Sequence, residues 1–193
     1  MSQEIEIEFK NILTYEEFLR LIYDFNIQKS AFIEQTNYYF DTDDFQLKNQ
    51  KSALRIRYKN GGYTLTLKQQ YDQHILETHQ TIDNTHFPNV LRGNPLPEGE
   101  VTEVLRKLHI ETPEIKYLGK LTTNRVELPY RDDLLVLDEN HYLGKIDYEL
   151  EYESADYKKG QQKFLELLES KKIPLRETKS KIYRFFIEKE ANI

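Results

Sequence analysis

The sequence predicts an α+β protein in which eight antiparallel strands close into a β-barrel with flanking helices. Three observations lead there. Glu4-Ile5-Glu6-Ile7-Glu8-Phe9-Lys10 and Asp147-Tyr148-Glu149-Leu150-Glu151-Tyr152-Glu153 both alternate charged and apolar residues strictly, and a strand sends successive side chains to opposite faces. Asn60-Gly61-Gly62 separates two alternating runs; Asn and Gly accept the positive φ that tight hairpins require. The strand-like runs mostly follow one another directly, which makes neighbours antiparallel, and a sheet of that size removes its exposed edges by closing.

The elements follow in order. A strand is expected over 3–10. A helix is expected over 14–26: Thr14 and Glu17 have capping-box spacing, and Phe18, Leu21, Ile22 and Phe25 form an apolar stripe. A strand rich in Phe, Ile, Thr and Tyr runs over 32–40, then a polar turn at Asp41-Thr42-Asp43-Asp44, which Asp41 caps. Strands over 53–59 and 63–70 flank the hairpin, and 74–82 is the fifth. A loop with Pro88, Pro95 and Pro97 leads to a short helix near 98–109. Strands are expected near 116–128, 133–139 and 145–153, and helices near 155–170 and 180–190.

No linker, low-complexity tract or clear tandem repeat divides the 193 residues, so a single domain over 1–193 is expected. Hydrophobic content of 38% with 12% aromatic residues suits a globular core, while 31% charged residues call for a polar cavity or a heavily solvated surface. The net charge of -6 disfavours sequence-independent binding to nucleic acid. The absence of cysteine excludes a disulfide framework and thiolate chemistry. No apolar run approaches the ~18 residues that span a membrane, and no basic-then-apolar leader opens the chain. The expectation is a soluble cytoplasmic protein with no membrane partner; barrel closure leaves the oligomeric state unread.

The charged faces carry the chemistry. Alternation puts Glu4, Glu6, Glu8 and Lys10 on one face, opposite Ile5, Ile7 and Phe9. Arg55, Arg57 and Lys59 share a face, as do Thr64, Thr66 and Lys68. Acids dominate the first and late strands and cations the middle ones, whereas a merely solvated surface would intersperse the two signs. A row of carboxylates ~6–7 Å apart is unfavourable unless water or cations neutralise it. Glu6, Glu8, Asp138, Glu149 and Glu151 offer oxygen ligands to a hard divalent cation, magnesium or manganese. Arg55 and Arg57 offer forks that match phosphate oxygens, and Lys10, Lys68, Arg125 and Lys181 add positive charge. Such a set stabilises charge on a transferring phosphoryl group.

These residues resemble a known family. Glu6-Ile7-Glu8-Phe9-Lys10 fits the Glu-x-Glu-x-Lys signature of the CYTH domain, the superfamily of triphosphate tunnel metalloenzymes. Tyr39-Phe40-Asp41-Thr42, Leu47, Ala53-Leu54-Arg55-Ile56-Arg57 and Leu65-Thr66-Leu67-Lys68 resemble its second block, and Thr123-Asn124-Arg125, Leu137-Asp138, Leu143-Gly144 and Glu149-Leu150-Glu151 its later ones. The chain is most similar to CYTH proteins of Gram-positive bacteria. The resemblance implies a tunnel with a charged lumen and metal-dependent hydrolysis of a triphosphate, inorganic triphosphate or a nucleoside triphosphate. It implies that Glu6, Glu8, Asp138, Glu149 and Glu151 bind magnesium or manganese, and that Lys10, Arg55, Arg57, Lys68, Arg125 and Lys181 hold phosphates. Glu6, Glu8 and Lys10 are then the catalytic signature, and Glu77 orients a lysine or arginine. Lys179 competes with Lys181, whose parity it shares. Glu4 is expected at the tunnel mouth, His79 as a hydrogen-bonded bystander rather than a general base, and Tyr39, Tyr58, Tyr148 and Tyr152 as packing beneath helices. Thr123 stands where some members place Lys, and the chain has no Trp to stack on thiamine. Two other readings stay open: an adenylyl cyclase of the class IV type, and a non-catalytic protein that binds polyphosphate or a nucleotide.

Overall fold

Turn chemistry and side-chain alternation set the strand limits in the computed structural model, which describes residues 3–72 and 74–191. In chain order the elements are β1 (Gln3–Glu6), β2 (Glu8–Leu13), α1 (Tyr15–Asp24), β3 (Ile33–Thr42), α2 (Gln46–Asn49), β4 (Ser52–Lys59), β5 (Gly62–Tyr71), β6 (His74–Ile82), α3 (Phe87–Leu91), α4 (Glu100–Lys107), β7 (Ile115–Tyr130), β8 (Asp133–Tyr142), β9 (Lys145–Glu153), α5 (Tyr157–Ser170) and α6 (Lys181–Ala191). Asn60 and Gly61 have φ of +52° and +83°, and Lys59 lies opposite Gly62. The β4–β5 hairpin thus closes through the two-residue turn its sequence calls for. Leu143 and Gly144, with φ of +48° and +81°, do the same between β8 and β9.

Two compact units divide the chain. The first comprises residues up to Glu6 and Gln35–Lys120, the second Ile7–Glu34 and Leu121 onward. Strand order is β1-β6-β5-β4-β3 in the first and β7-β8-β9-β2 in the second. The registered pairs within each unit are antiparallel, so the expected α+β class with antiparallel strands and flanking helices holds. Nine strands, not eight, occur among the described residues, because the run expected as one strand over 3–10 divides at Ile7. Gln3–Glu6 pairs with β6, whereas Glu8–Leu13 pairs with β9. The alternation continues through the break, but the two halves serve different partners.

In the first unit Leu54, Ile56, Leu65 and Leu67 point away from the charged face and are fully buried with Val101 and Leu105 of α4 and Phe87 of α3. Tyr63 stacks on Phe87 with ring centroids 4.1 Å apart. In the second unit Leu135, Leu137, Leu150 and Tyr152 pack with Phe18 and Leu21 of α1 and Phe164 and Leu167 of α5. Each such side chain contributes roughly 1.5–3 kcal/mol by leaving water. A side chain at position 160 of α5 would meet Ser154 Cβ at 2.6 Å and the Phe9 ring at 2.9 Å, so Gly160 lets the helix approach β2. The capping box of α1 is present: Thr14 accepts from the Glu17 amide at 3.2 Å, and Glu17 accepts from the Thr14 amide at 2.9 Å.

Two short helices depart from the expected turn and loop. Asp41 accepts from the amides of Thr42, Leu47 and Lys48 at 2.8–3.0 Å, so the residue expected to cap a turn also anchors the single turn of α2. Pro88 sits in the first turn of α3, where its missing N–H costs nothing. Of the four tyrosines expected beneath helices, Tyr148 and Tyr152 pack against Phe18 and Phe164. Tyr58 pairs with Tyr63 but is 40% exposed. Tyr39 lies directly opposite Arg55, on the charged face.

Candidate active site

The charged residues gather into two clusters, one in each unit. In the second unit β9 sets the pattern. Asp147, Glu149, Glu151 and Glu153 occupy one face, away from Leu150 and Tyr152 in the core. Register places Asp138 of β8 opposite Glu149, Lys10 of β2 opposite Glu151, and Arg125 of β7 opposite Asp138. Directly opposed side chains share a face, so local alternation and pairing together bring these residues into contact. Asp138 and Glu149 are fully buried and Glu151 is 4% exposed. Burying carboxylates demands cationic partners. Arg125 binds Asp138 in bidentate fashion at 2.8 and 2.7 Å and reaches Glu151 at 2.6 Å. Lys10 pairs with Glu8.

Helix α6 adds two cations. Lys181 lies 2.9 Å from Asp138 and 3.2 Å from Glu149 and also pairs with Glu151. Arg184, three residues on and therefore on the same helix face, donates to Asp147 at 2.9 Å and pairs with Glu149. Lys179, the sequence competitor of Lys181, is exposed, pairs with Glu177 and lies 5.9 Å from the Tyr183 ring. The residues before α6 are strapped to β2 and α1. Asn11 Oδ1 accepts from the Arg176 amide at 2.6 Å, Thr178 Oγ1 accepts from the Ile12 amide at 2.7 Å, and Arg176 binds Glu17 at 2.7 and 2.9 Å.

This cluster tunes its acids unequally. Burial works to raise the Glu151 carboxyl, but Lys181, Arg125 and Lys10 overcome it and hold the group well below the usual carboxylate range. Burial pushes Glu149 up, with the Glu151 charge adding to the rise against Lys181 and Arg184. Burial would lower Lys10 and Lys181, yet the surrounding carboxylates raise both. Glu149 Oε1 is buried without a hydrogen-bond partner. An unpartnered oxygen among buried carboxylates matches the ligand chemistry of a hard divalent cation, so Asp138, Glu149 and Glu151 fit magnesium or manganese.

The first unit holds the other cluster. Glu4 lies opposite Glu77, Lys68 opposite Glu77 on its other side, and Thr66 opposite His79. Arg55 and Arg57 of β4 share this face, opposite Thr66 and Thr64. Lys68 donates to Glu6 at 2.6 Å and pairs with Glu77, which Arg55 approaches to 4.0 Å. Burial would raise Glu77, but Arg55 and Lys68 hold its carboxyl down at about 2. Glu77 therefore sits between a lysine and an arginine. His79 Nε2 lies 3.1 Å from Glu4 and 3.2 Å from Glu77, and its Nδ1 lies 3.0 Å from Thr66 Oγ1. Glu4, Glu77 and His79 together could hold a metal ion. Arg57 Nε donates to Asn37 Oδ1 at 2.9 Å.

The expected site residues thus divide. Glu8, Lys10, Arg125, Asp138, Glu149, Glu151 and Lys181 belong to the second unit's cluster, and Glu6, Arg55, Arg57, Lys68 and Glu77 to the first unit. Sequence reasoning did not single out Arg184, Asp147 or Asn37. Asp147 continues the parity of Glu149 and Glu151, and Arg184 follows Lys181 by three in a helix; both signals were present. Asn37 has no signal beyond its parity with Gln35 and Tyr39, since a lone Asn in a strand carries no chemistry.

The sequence matches the CYTH domain family over residues 4–186. The chain belongs to the CYTH domain family. It is 50% identical over 193 residues to "Putative triphosphatase YjbK" of Bacillus subtilis (strain 168), and the match covers all of both proteins. A Bacillus halodurans protein, solved as "a putative adenylate cyclase", is 43% identical with a TM-score of 0.93, over 96% of this chain and 100% of that one. The Hippeastrum protein HpAC1, reported to have a dominant triphosphatase activity, shares the fold at a TM-score of 0.79 and 24% identity, over 94% of each chain. The CYTH resemblance read from the motifs is therefore correct over nearly the whole chain.

Proposed function

We propose that this CYTH chain is a metal-dependent triphosphatase whose 193 residues act as one catalytic domain. The observation that carries the reading is the set of buried carboxylates Asp138, Glu149 and Glu151, with Glu149 Oε1 unpartnered although Lys181 and Arg184 pair with that carboxylate. Half of the sequence is identical to the protein named "Putative triphosphatase YjbK", which supports the same chemistry.

In this reading magnesium or manganese would be held by Glu6 in the first unit and by Glu8, Asp138, Glu149 and Glu151 in the second, and would neutralise phosphoryl charge and lower the pKa of an attacking water. Arg55, Arg57 and Lys68 bind phosphoryl oxygens as charge-assisted donors. Lys10, Arg125 and Lys181 neutralise the carboxylates and in this reading would also hold phosphates. Glu77 pairs with Lys68 and orients it. Water attacks the terminal phosphorus, the bridging P–O bond breaks, and diphosphate leaves with orthophosphate. The substrate is a small-molecule triphosphate or polyphosphate. Among the described residues no helix is long and apolar enough to cross a membrane.

The test is phosphate release by purified protein from inorganic triphosphate, ATP and thiamine triphosphate, with magnesium or manganese, and with EDTA as control. EDTA-sensitive orthophosphate release supports the reading and names the substrate. The 43% identity to a protein solved as "a putative adenylate cyclase" supports one alternative: cyclic nucleotide and pyrophosphate from ATP would establish it and overturn the hydrolase. Tight binding of tripolyphosphate with no product from any substrate would make the chain a binding protein.

A further inference from the structure

We propose that Asn37 positions Arg57 and itself donates a hydrogen bond to the phosphate chain, an assignment that rests on the triphosphatase reading above. Asn37 of β3 lies directly opposite Arg57 of β4 on the charged face of the first unit. The register therefore builds their contact into the sheet. Arg57 Nε donates to Asn37 Oδ1 at 2.9 Å. That bond fixes the sense of the amide, because guanidinium N–H groups only donate and must meet the oxygen. The other end, Nδ2, is then a donor.

Asn37 is 1% exposed, and its Nδ2 is buried without a hydrogen-bond partner. Arg55 Nε, on the same face, is a second buried donor without one. Buried donors lacking acceptors are rare and destabilising. Two of them on a face lined with Arg55, Arg57 and Lys68 call for a group that accepts and carries negative charge. An ionised phosphoryl oxygen does both, a metal ion neither. Gln35 Oε1, also buried without a partner on this face, is an acceptor and takes no part in holding an ionised oxygen. Asn37 would thus serve twice: its oxygen holds the Arg57 guanidinium in place, and its nitrogen adds a neutral donor.

The two roles separate experimentally. Asn37→Asp keeps an oxygen for Arg57 but replaces the donor with an acceptor. Asn37→Ala removes both. We would measure kcat and KM of the full chain for inorganic tripolyphosphate with magnesium or manganese, and its Kd by calorimetry in EDTA. Asn37→Asp is expected to raise KM about tenfold or more, the scale of one lost charge-assisted bond, with kcat changing less. Asn37→Ala should raise KM about a hundredfold alone but only about tenfold on an Arg57→Ala background, where the donor is all that remains to be lost. Unchanged KM in a folded Asn37→Asp protein would overturn the donor role. Equal penalties in both backgrounds would overturn the positioning role. Circular dichroism establishes folding, and where the alanine variant does not fold, the near-isosteric aspartate decides. A wild type that neither hydrolyses nor binds tripolyphosphate would remove the triphosphatase reading and this assignment with it; a wild type that turns it over while both variants match it would remove only the latter.

Discussion

Glu149 and Glu151 stand two residues apart on one face of β9, yet their surroundings treat them oppositely. Three cations hold Glu151 ionised, while burial raises Glu149, whose Oε1 has no partner. The residue left incomplete is the one a divalent cation would complete. Glu149→Gln keeps the shape and removes the charge, so it should cut metal-dependent phosphate release at least about 100-fold, on the scale of losing a preorganised electrostatic group. Glu6→Ala and Glu8→Ala should likewise abolish turnover in a protein that remains folded by circular dichroism; undiminished turnover in folded Glu8→Ala would take Glu8 out of the metal set. Arg57→Ala should weaken substrate binding by about 2–3 kcal/mol, the worth of a hydrogen bond to a charged group. Calorimetry showing wild-type affinity would contradict Arg57 as a phosphate ligand.

Helix α6 delivers Lys181 and Arg184, and its placement depends on the strap before it. Arg176 ties that strap to Glu17 of α1 and to the Ile12 carbonyl of β2, and Asn11 ties it to Pro174 and Arg176. Glu17 serves twice, since it also closes the capping box of α1. Arg176→Ala should therefore destabilise the protein by about 1–3 kcal/mol, the cost of losing charged hydrogen bonds, and lower activity although Arg176 touches no carboxylate of the cluster. Thr14→Ala, which removes only the cap, should cost about 1 kcal/mol and leave kcat nearly unchanged. Thermal unfolding beside tripolyphosphate kinetics checks both; an Arg176→Ala protein as active as Thr14→Ala would dismiss the strap as a positioning device. The start of the helix also separates Lys181 from Lys179. Parity makes them equivalent in a strand, but Lys181 opens α6 and meets Asp138, Glu149 and Glu151, whereas Lys179 precedes the helix and pairs with Glu177.

Acid stability is where the clusters act on the whole molecule. Glu77 is held at about 2 in the folded chain by Arg55 and Lys68 against its burial, compared with roughly 4.3 for an unfolded Glu. The folded state then binds fewer protons, so this contribution is present above the unfolded value and is lost as pH falls toward about 2. Glu77→Gln should flatten the loss of stability between about pH 4.5 and 2 relative to wild type, measured by urea unfolding at each pH; parallel curves would show that Glu77 carries no such linkage. Much of this molecule was legible beforehand. Alternation placed Glu149, Glu151, Arg55 and Arg57 on charged faces, and hairpin and cap chemistry located the β4–β5 turn and the start of α1, because these signals depend only on residues within one turn or one strand. The division of the first strand at Ile7 was not legible, since it depends on whether β6 or β9 supplies the hydrogen-bonding partner. Nor were the turn of Tyr39 to the charged face, the entry of Arg184 into the carboxylate cluster, or the pairing of Asn37 with Arg57. The sequence by itself determined which side chains share a face, because backbone geometry within an element sets that parity. Only the tertiary structure decided which faces meet which partners, because strand register and helix placement are fixed by contacts between residues far apart in the chain.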